Sequence, residues 1–304
     1  MSRIFDALRQ AGVDRTGVDY PDMVSVAAKV FESPDLQPPE PVVLSAPKAT
    51  QAQVLQMAQE ETAANAMSLD DTSLLPSIDV SVPASSRLAY FSDPEGLAAE
   101  KFRFLGVRLR ELRQSRPLKK VLITSTIPEE GKSLISANLA GVLARRKEKV
   151  LLIEGDLRRP VLTEKFGLGR IPGITEWLQN GSQSVSNIYR LEKLGFWFLP
   201  AGEAPTHPLE LLQSARLAQL MQQLASMFDW IVVDSPPLLP LADTTLWARL
   251  TDGVLLVARE GKTEKAQLKQ GLEILKKTDL IGVVLNGCTR TDQKNYYQRY
   301  APKK

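Results

Sequence analysis

From about residue 118 onward, short apolar runs alternate with segments of helical periodicity. The apolar runs read KVLITS, KVLLIEG, GFWFLPA, WIVVDSP, GVLLVARE and IGVVLNG. Each run is too short for a buried helix, and helix-like segments such as SLISANLAGVLARR and LELLQSARLAQLMQQLASM lie between them. Continuous Val, Ile and Leu residues are typical of parallel strands that are covered on both faces. The pattern predicts a doubly wound α/β domain with a mostly parallel sheet flanked by helices.

Composition divides the rest of the chain. Residues 1–31 include a short helical segment with an apolar stripe, which predicts docking either on its own domain or on another protein. Residues 32–86 hold seven prolines, eight acidic residues and no aromatic residue, which indicates an acidic linker. We expect the α/β domain to cover 87–290, with an amphipathic helix before its first strand. Residues 291–304 form a tyrosine-rich tail.

Charge and cysteine content exclude several classes of protein. The formal net charge of +3 is too small to indicate a nucleic-acid partner. Cys288 is the only cysteine, so no intramolecular disulfide can form and a reduced, cytoplasmic setting fits. With one histidine, His207, metal sites built from His and Cys are excluded. No run approaches the roughly 18 apolar residues of a membrane span, and no secretory signal is visible.

The stretch TSTIPEEGKS, residues 124–133, lies between the first strand and its helix. It occupies the place of a G-x-x-x-x-G-K-S/T phosphate loop in which Thr126 replaces the first glycine. Lys132 can reach the β- and γ-phosphates of a nucleotide, and the Ser133 hydroxyl can bind Mg²⁺. The predicted ATP contacts in this segment are Thr126, Pro128, Glu129, Glu130, Gly131, Lys132, Ser133 and Leu134.

Carboxylates follow two of the other predicted strands. WIVVDSPP places Asp234 at the end of its strand, and LLIEGDLRRP places Glu154 and Asp156 at the end of another, followed by Arg158. Open α/β sheets bind ligands at the carboxyl ends of their strands, and Mg²⁺ prefers oxygen ligands. We therefore predict that these side chains lie beside the phosphate loop.

Together, TSTIPEEGKS, LLIEGDLRRP and WIVVDSPP resemble the Walker A, Walker A′ and Walker B motifs of bacterial tyrosine kinases. These are P-loop autokinases of exopolysaccharide and capsule synthesis, with a deviant-Walker, MinD-like fold. The resemblance extends over about 90–304 and ends in the tyrosine cluster that such kinases phosphorylate. The N-terminal MSRIFDALRQA is similar to the opening of stand-alone members that work beside a separate membrane protein.

The resemblance implies a role for each motif residue. Lys132 would neutralise the β- and γ-phosphates of ATP, and Ser133, Asp156 and Asp234 would hold Mg²⁺, directly or through water. Asp156 would also orient or deprotonate the incoming tyrosine hydroxyl. Three further residues complete the implied site: Arg158 for the transferring phosphate, Glu154 for the ion's water shell and Asn286 near the adenine.

Three departures from the family pattern stand out. Glu154 replaces the first aspartate of D-x-D-x-R, and Glu129 stands where the family often has glycine. In the helix before the first strand, Glu100 and Arg103 fit the E-x-x-R-x-x-R pattern that mediates self-association, but the third position is Gly106. Glu100 and Arg103 are the predicted oligomer contacts.

The whole pattern predicts a non-specific protein-tyrosine kinase that uses ATP and Mg²⁺ to phosphorylate its own Tyr296, Tyr297 and Tyr300. Its expected partners are an inner-membrane polysaccharide co-polymerase, which recruits it from the cytoplasm, a tyrosine phosphatase, and further copies of itself. Two alternatives remain open. One is a ParA/MinD-like positioning ATPase, which would carry a lysine where this chain has Ile127. The other is a weakly catalytic or non-catalytic nucleotide-binding regulator.

Overall fold

An eight-stranded sheet organises the part of the chain that the computed structural model describes, residues 72–180, 186–239 and 241–288. In chain order the strands are β1 (Ser77–Ile78), β2 (Lys120–Ser125), β3 (Val150–Glu154), β4 (Tyr189–Leu191), β5 (Phe196–Leu199), β6 (Trp230–Asp234), β7 (Gly253–Arg259) and β8 (Leu280–Asn286). Their order across the sheet is β1-β4-β5-β3-β6-β2-β7-β8. The β4–β5 pair is antiparallel, and the other neighbouring pairs are parallel. The predicted fold class is confirmed.

Helices cover both faces of the sheet. They are α1 (Ala89–Ser92), α2 (Leu97–Ser115), α3 (Lys132–Ala144), α4 (Leu162–Lys165), α5 (Ile174–Asn180), α6 (Pro208–Leu212), α7 (Ala215–Met227), α8 (Asp243–Arg249) and α9 (Lys265–Leu275). Buried residues of α2 and α3 pack on one face, and those of α5, α7, α8 and α9 pack on the other. Successive strand residues point to opposite faces, so in β2 Val121 and Ile123 join the first layer while Leu122 joins the second. Burial on both faces explains why the central strands β2, β3, β6 and β7 are continuous apolar runs.

The strand order positions the site. Because β6 lies between β3 and β2, the carboxyl ends of these three parallel strands meet at one edge of the sheet. The register pairs Asp234 with Glu154 on one side and with Ile123 on the other. The segment that leaves β2 at this edge is TIPEEG, which leads into α3.

Three differences from the sequence predictions stand out. The segment predicted as one helix, LELLQSARLAQLMQQLASM, forms α6 and α7, because the Ser214 side chain accepts a hydrogen bond from the Leu217 N–H and caps a new helix. Strand β4 was not predicted, since its three residues are too few to show periodicity. Residues 72–86, assigned to the linker, include β1, which pairs with β4, and Val80, which is buried. Residues 1–71 and 289–304, with the predicted docking helix and the tyrosine tail, lie outside the described residues.

Candidate functional site

The phosphate loop joins β2 to α3 through residues 126–131. Gly131 has a φ of +96°, which side-chain-bearing residues rarely adopt. A Cβ atom there would also collide with the side-chain amide of Asn286. Asn286 Nδ2 donates to the Glu130 carbonyl oxygen at 2.9 Å. The structure thus places Asn286 against the backbone of the phosphate loop, and its place near the adenine stays a prediction.

Lys132 is buried at the start of α3 and faces two carboxylates. Its Nζ atom lies 3.0 Å from Asp156 Oδ2 and 3.8 Å from Asp234 Oδ1. Burial lowers the pKa of Lys132, but the charges of Asp234 and Asp156 outweigh burial and raise the net pKa above the ordinary lysine value. Lys132 is therefore a fixed positive charge at the carboxyl edge of the sheet.

Asp234 ends β6 with a carboxylate that is 1% exposed. Its Oδ1 atom accepts a hydrogen bond from the Ser136 hydroxyl at 3.3 Å, and its Oδ2 atom is buried with no hydrogen-bond partner. Burial raises the pKa of Asp234 to about 6, although Lys132 and a hydrogen bond from Ser133 act in the opposite direction. A buried carboxylate oxygen without a partner is costly unless another group satisfies it.

That free oxygen fits a hydrated divalent cation. Ser133, whose hydroxyl is the expected direct ligand, is buried next to Lys132 and within hydrogen-bonding reach of Asp234. The donors are a hydroxyl and carboxylates, which suit Mg²⁺ and its water shell. Within 72–180, 186–239 and 241–288, no group of three or more His, Cys, Asp or Glu forms a protein-only metal site. A P-loop ion does not need one, because phosphate oxygens and water supply its remaining ligands.

Asp156 follows β3 and links its own loop to Lys132. Its Oδ2 atom pairs with Lys132, and its Oδ1 atom accepts the Arg159 N–H at 3.1 Å. The side chain is buried beside Lys132, the residue that follows the phosphate loop. The structure therefore brings together Lys132, Ser133, Asp156 and Asp234, as the motif spacing predicted.

Glu154 does not pair with Lys132 and instead binds groups of the neighbouring loops. The Glu154 carboxylate is 1% exposed and accepts hydrogen bonds from the Leu162 N–H at 2.5 Å, the Thr163 hydroxyl at 2.7 Å and the Ala201 N–H at 3.2 Å. These bonds hold the backbone after β3 and β5, so both carboxylate oxygens are occupied by structural contacts and not by an ion's water shell. This corrects the role that the resemblance implied for Glu154.

Arg158 forms a two-pronged ion pair with Asp243, the first residue of α8. The distances are 2.7 Å from Nε to Oδ2 and 3.1 Å from Nη2 to Oδ1. The hydrogen bond to Asp243 raises the pKa of Arg158, and Asp156 is close enough to add to that rise. Sequence reasoning missed Asp243, because its partner lies 85 positions away in the chain.

The outer part of the phosphate loop is held from the neighbouring loop. Glu129 has a φ of +65° and pairs with Lys262 at 2.6 Å, a hydrogen bond that lowers the pKa of Glu129. Thr126 is fully buried, whereas Pro128 is exposed and Leu134 is half-buried. The Glu130 side chain is completely buried, and its predicted contact with ATP stays a prediction. Sequence reasoning also missed Ser136, although its position one helical turn after Lys132 was a usable signal.

The predicted oligomer contacts lie on α2. Arg103 donates to Glu100 at 2.7 Å and to the Pro94 carbonyl oxygen at 2.6 Å. Both bonds are made within the chain. Phe104 and Val107 are exposed on the same helix.

No helix that the structure describes combines the length and apolar character needed to cross a bilayer. Tyr296, Tyr297 and Tyr300 lie outside the described residues.

Comparison with known proteins matches this arrangement to one family. The family model described as "CobQ/CobB/MinD/ParA nucleotide binding domain" matches residues 121–302. The chain is 34% identical over 207 residues to "Tyrosine-protein kinase YwqD" of Bacillus subtilis (strain 168), which covers 67% of this chain and 87% of that protein. It is 34% identical over 199 residues to "Tyrosine-protein kinase ptk" of Acinetobacter johnsonii, but that match spans only 27% of the relative's length.

A solved structure agrees with these relatives. The kinase domain of Escherichia coli tyrosine kinase ETK is 30% identical and superposes with a TM-score of 0.63, covering 66% of this chain and 79% of that domain. The sequence relatives and this solved structure are both named as tyrosine kinases, and the solved structure shares the fold described above.

Proposed function

Because this chain belongs to the CobQ/CobB/MinD/ParA nucleotide-binding family and, within it, to the bacterial tyrosine-protein kinases, we propose that it transfers the γ-phosphate of ATP to its own C-terminal tyrosines. The acceptors are Tyr296, Tyr297 and Tyr300. One observation carries the proposal. Lys132 lies 3.0 Å from Asp156 and 3.8 Å from Asp234, whose Oδ2 atom is buried without a hydrogen-bond partner. A buried cation, a nearby base and a free carboxylate oxygen are the parts that phosphoryl transfer requires.

Nucleotide binding would change the partners of the charged side chains in the site. Without nucleotide, Asp156 and Asp234 balance the charge of Lys132. The β- and γ-phosphates would take over Lys132, leaving Asp156 free to accept a proton. Mg²⁺, held by the Ser133 hydroxyl and through water by Asp156 and Asp234, would offset phosphate charge as the bond breaks.

The proposed phosphoryl transfer is a single displacement at the γ-phosphorus. The phenolic oxygen of a tail tyrosine forms a bond to the γ-phosphorus, the bond from that phosphorus to the β–γ bridging oxygen breaks, and ADP leaves. Asp156 orients the hydroxyl and takes its proton. Arg158, held by Asp243 near Asp156, steadies the transferred phosphate. Positioning and charge account for the catalysis, because the reaction needs no covalent intermediate with the protein.

Strand β8, the last strand that the structure describes, ends close to the site. Asn286 contacts the Glu130 backbone, and Tyr296 lies ten positions further along the chain. Ten extended residues reach about 35 Å at most, so a tail can enter its own site or that of an adjacent copy. In a homo-oligomer formed through the α2 face around Glu100 and Arg103, transfer between neighbouring copies follows. Each phosphate adds about −1.5 to −2 charges beside the basic residues of the tail, and this would loosen the assembly.

We further propose that the kinase regulates polymerisation or export of an exopolysaccharide. In this proposal, an inner-membrane co-polymerase recruits it to the cytoplasmic face of that membrane and activates it. A tyrosine phosphatase removes the phosphates from the tail. The resemblance of MSRIFDALRQA to stand-alone members of the family supports the separate membrane partner.

The test compares the wild-type chain with Lys132→Met in the presence of ATP and Mg²⁺, with phosphotyrosine detected by antibody. We expect signal in the wild type, enhanced by the cytoplasmic tail of a co-polymerase, and none in the variant. A wild type that binds ATP yet shows no phosphotyrosine even with the activator would favour the alternative of a nucleotide-binding regulator. Mixing Lys132→Met with a tail-deleted active chain tests transfer between copies, since only that route can label the variant.

A further inference from the structure

The loop between β7 and α9, residues 260–264, grips the phosphate loop at successive residues. At the end of β7, Arg259 Nη1 donates to the Glu129 carbonyl oxygen at 3.1 Å. Lys262 Nζ pairs with the Glu129 carboxylate at 2.6 Å. Thr263 donates its hydroxyl proton to Glu130 Oε1. Of these contacts, the one made by Thr263 is the least exposed to solvent.

Glu130 is a carboxylate enclosed by the phosphate loop itself. Its side chain is 0% exposed. Oε2 accepts the Ile127 N–H at 2.9 Å, which closes the loop, and Oε1 accepts Thr263 together with a longer contact of 3.4 Å from the Thr126 hydroxyl. A buried negative charge next to a polyphosphate site opposes nucleotide binding unless hydrogen bonds spread and offset that charge.

A second hydrogen bond orients the Thr263 hydroxyl. The Arg259 N–H donates to Thr263 Oγ1 at 2.7 Å. A hydroxyl has one proton to give, and this incoming bond leaves it pointing toward Glu130. A serine keeps both bonds, whereas a valine of nearly the same shape keeps neither.

We propose that Thr263 is a positioning residue for ATP, acting through Glu130 to hold the phosphate loop closed and to offset the carboxylate beneath the phosphates. The role deepens the proposed function, since it rests on ATP binding at this loop. Loss of the hydroxyl would leave Glu130 Oε1 with only the long Thr126 contact. The penalty would then be felt mainly when the negative phosphates arrive, and less in the nucleotide-free protein.

The test titrates a fluorescent ATP analogue with Mg²⁺ into the full chain and its Thr263→Val and Thr263→Ser variants. We expect Thr263→Val to bind about tenfold more weakly, the equivalent of a lost hydrogen bond to a charged group, and Thr263→Ser to bind within about twofold of wild type. KM for ATP should rise by the same factor, while kcat at saturating ATP stays within about twofold.

Thr278→Val is the matched control. The Thr278 hydroxyl also makes a part-buried hydrogen bond, to the Leu275 carbonyl at 2.7 Å, but at the opposite end of α9. Thr278→Val should leave ATP affinity unchanged, even if Thr263→Val and Thr278→Val both lower the melting temperature of the nucleotide-free protein. Should Thr263→Val fail to fold, Thr263→Ala removes the same bond with a smaller side chain.

Equal ATP affinity in wild type and Thr263→Val or Thr263→Ala would overturn this inference and leave the proposed function standing. Weakened binding that Thr263→Ser fails to restore would also overturn it, since the hydroxyl would not be the cause. A wild type that binds no ATP analogue would instead remove the proposed function itself.

Discussion

Replacing Asp234 by asparagine should stabilise the nucleotide-free protein while abolishing its kinase activity. The Asp234 carboxylate is 1% exposed, and its Oδ2 atom has no partner. Burial raises its pKa from 3.8 to about 6 in the folded chain. Two pKa units correspond to about 3 kcal/mol, so the charged carboxylate costs the folded state about that much at pH 8.

The direction of the stability change follows from the protonation of Asp234 at each pH. Above pH 6 Asp234 is charged in both states, and the full cost applies. As the pH falls through 6 the folded state takes up a proton before the unfolded state does, so the cost shrinks and is lost near pH 4. Asparagine carries no such charge. We therefore expect the gain in unfolding free energy of Asp234→Asn over wild type to be about 2 kcal/mol larger at pH 8 than at pH 4.5.

Urea unfolding of both proteins at the two pH values, without nucleotide or Mg²⁺, measures this difference. Asp279→Asn is the control, because the Asp279 side chain is 68% exposed and should give no comparable pH-dependent gain. A stability difference between Asp234→Asn and wild type that stays constant with pH would refute the reasoning, because it would mean that Asp234 bears no burial cost.

Three other substitutions test separate parts of the site. Asp243→Asn should weaken the two-pronged hold on Arg158 and lower kcat about tenfold with little change in ATP affinity, as measured by steady-state kinetics and nucleotide titration; an unchanged kcat would remove Arg158 from the mechanism. Gly131→Ala should weaken ATP binding at least tenfold, because φ is +96° and the new methyl group meets Asn286; wild-type affinity would contradict the loop geometry. Glu154→Gln should lower the unfolding free energy by about 2 kcal/mol while folded protein keeps most of its kcat, and loss of activity in fully folded protein would return Glu154 to the catalytic group.

Sequence reasoning reached the fold because the central strands β2, β3, β6 and β7 are buried on both faces and are therefore continuous apolar runs. It also placed Lys132, Asp156 and Asp234 together, since parallel strands deliver their carboxyl ends to one edge of the sheet. It failed where the decisive contact is tertiary. The spacing of LLIEGDLRRP cannot reveal that the Glu154 side chain turns toward Leu162 rather than toward Lys132.

The same limit applies to partners that are distant in sequence. Asp243 and Thr263 belong to segments without a recognised motif, and their roles depend on Arg158 and Glu130, which lie 85 and 133 positions away. The break between α6 and α7 was readable in principle, because Ser214 is a favoured N-cap residue, but the apolar periodicity on both sides concealed it.

Mass spectrometry of the intact chain and its peptides after incubation with ATP and Mg²⁺ detects the proposed tyrosine phosphorylation itself. We expect up to three added phosphates, all on Tyr296, Tyr297 and Tyr300, and none in Lys132→Met. Phosphates confined to other residues, or the same labelling in Lys132→Met as in wild type, would contradict it.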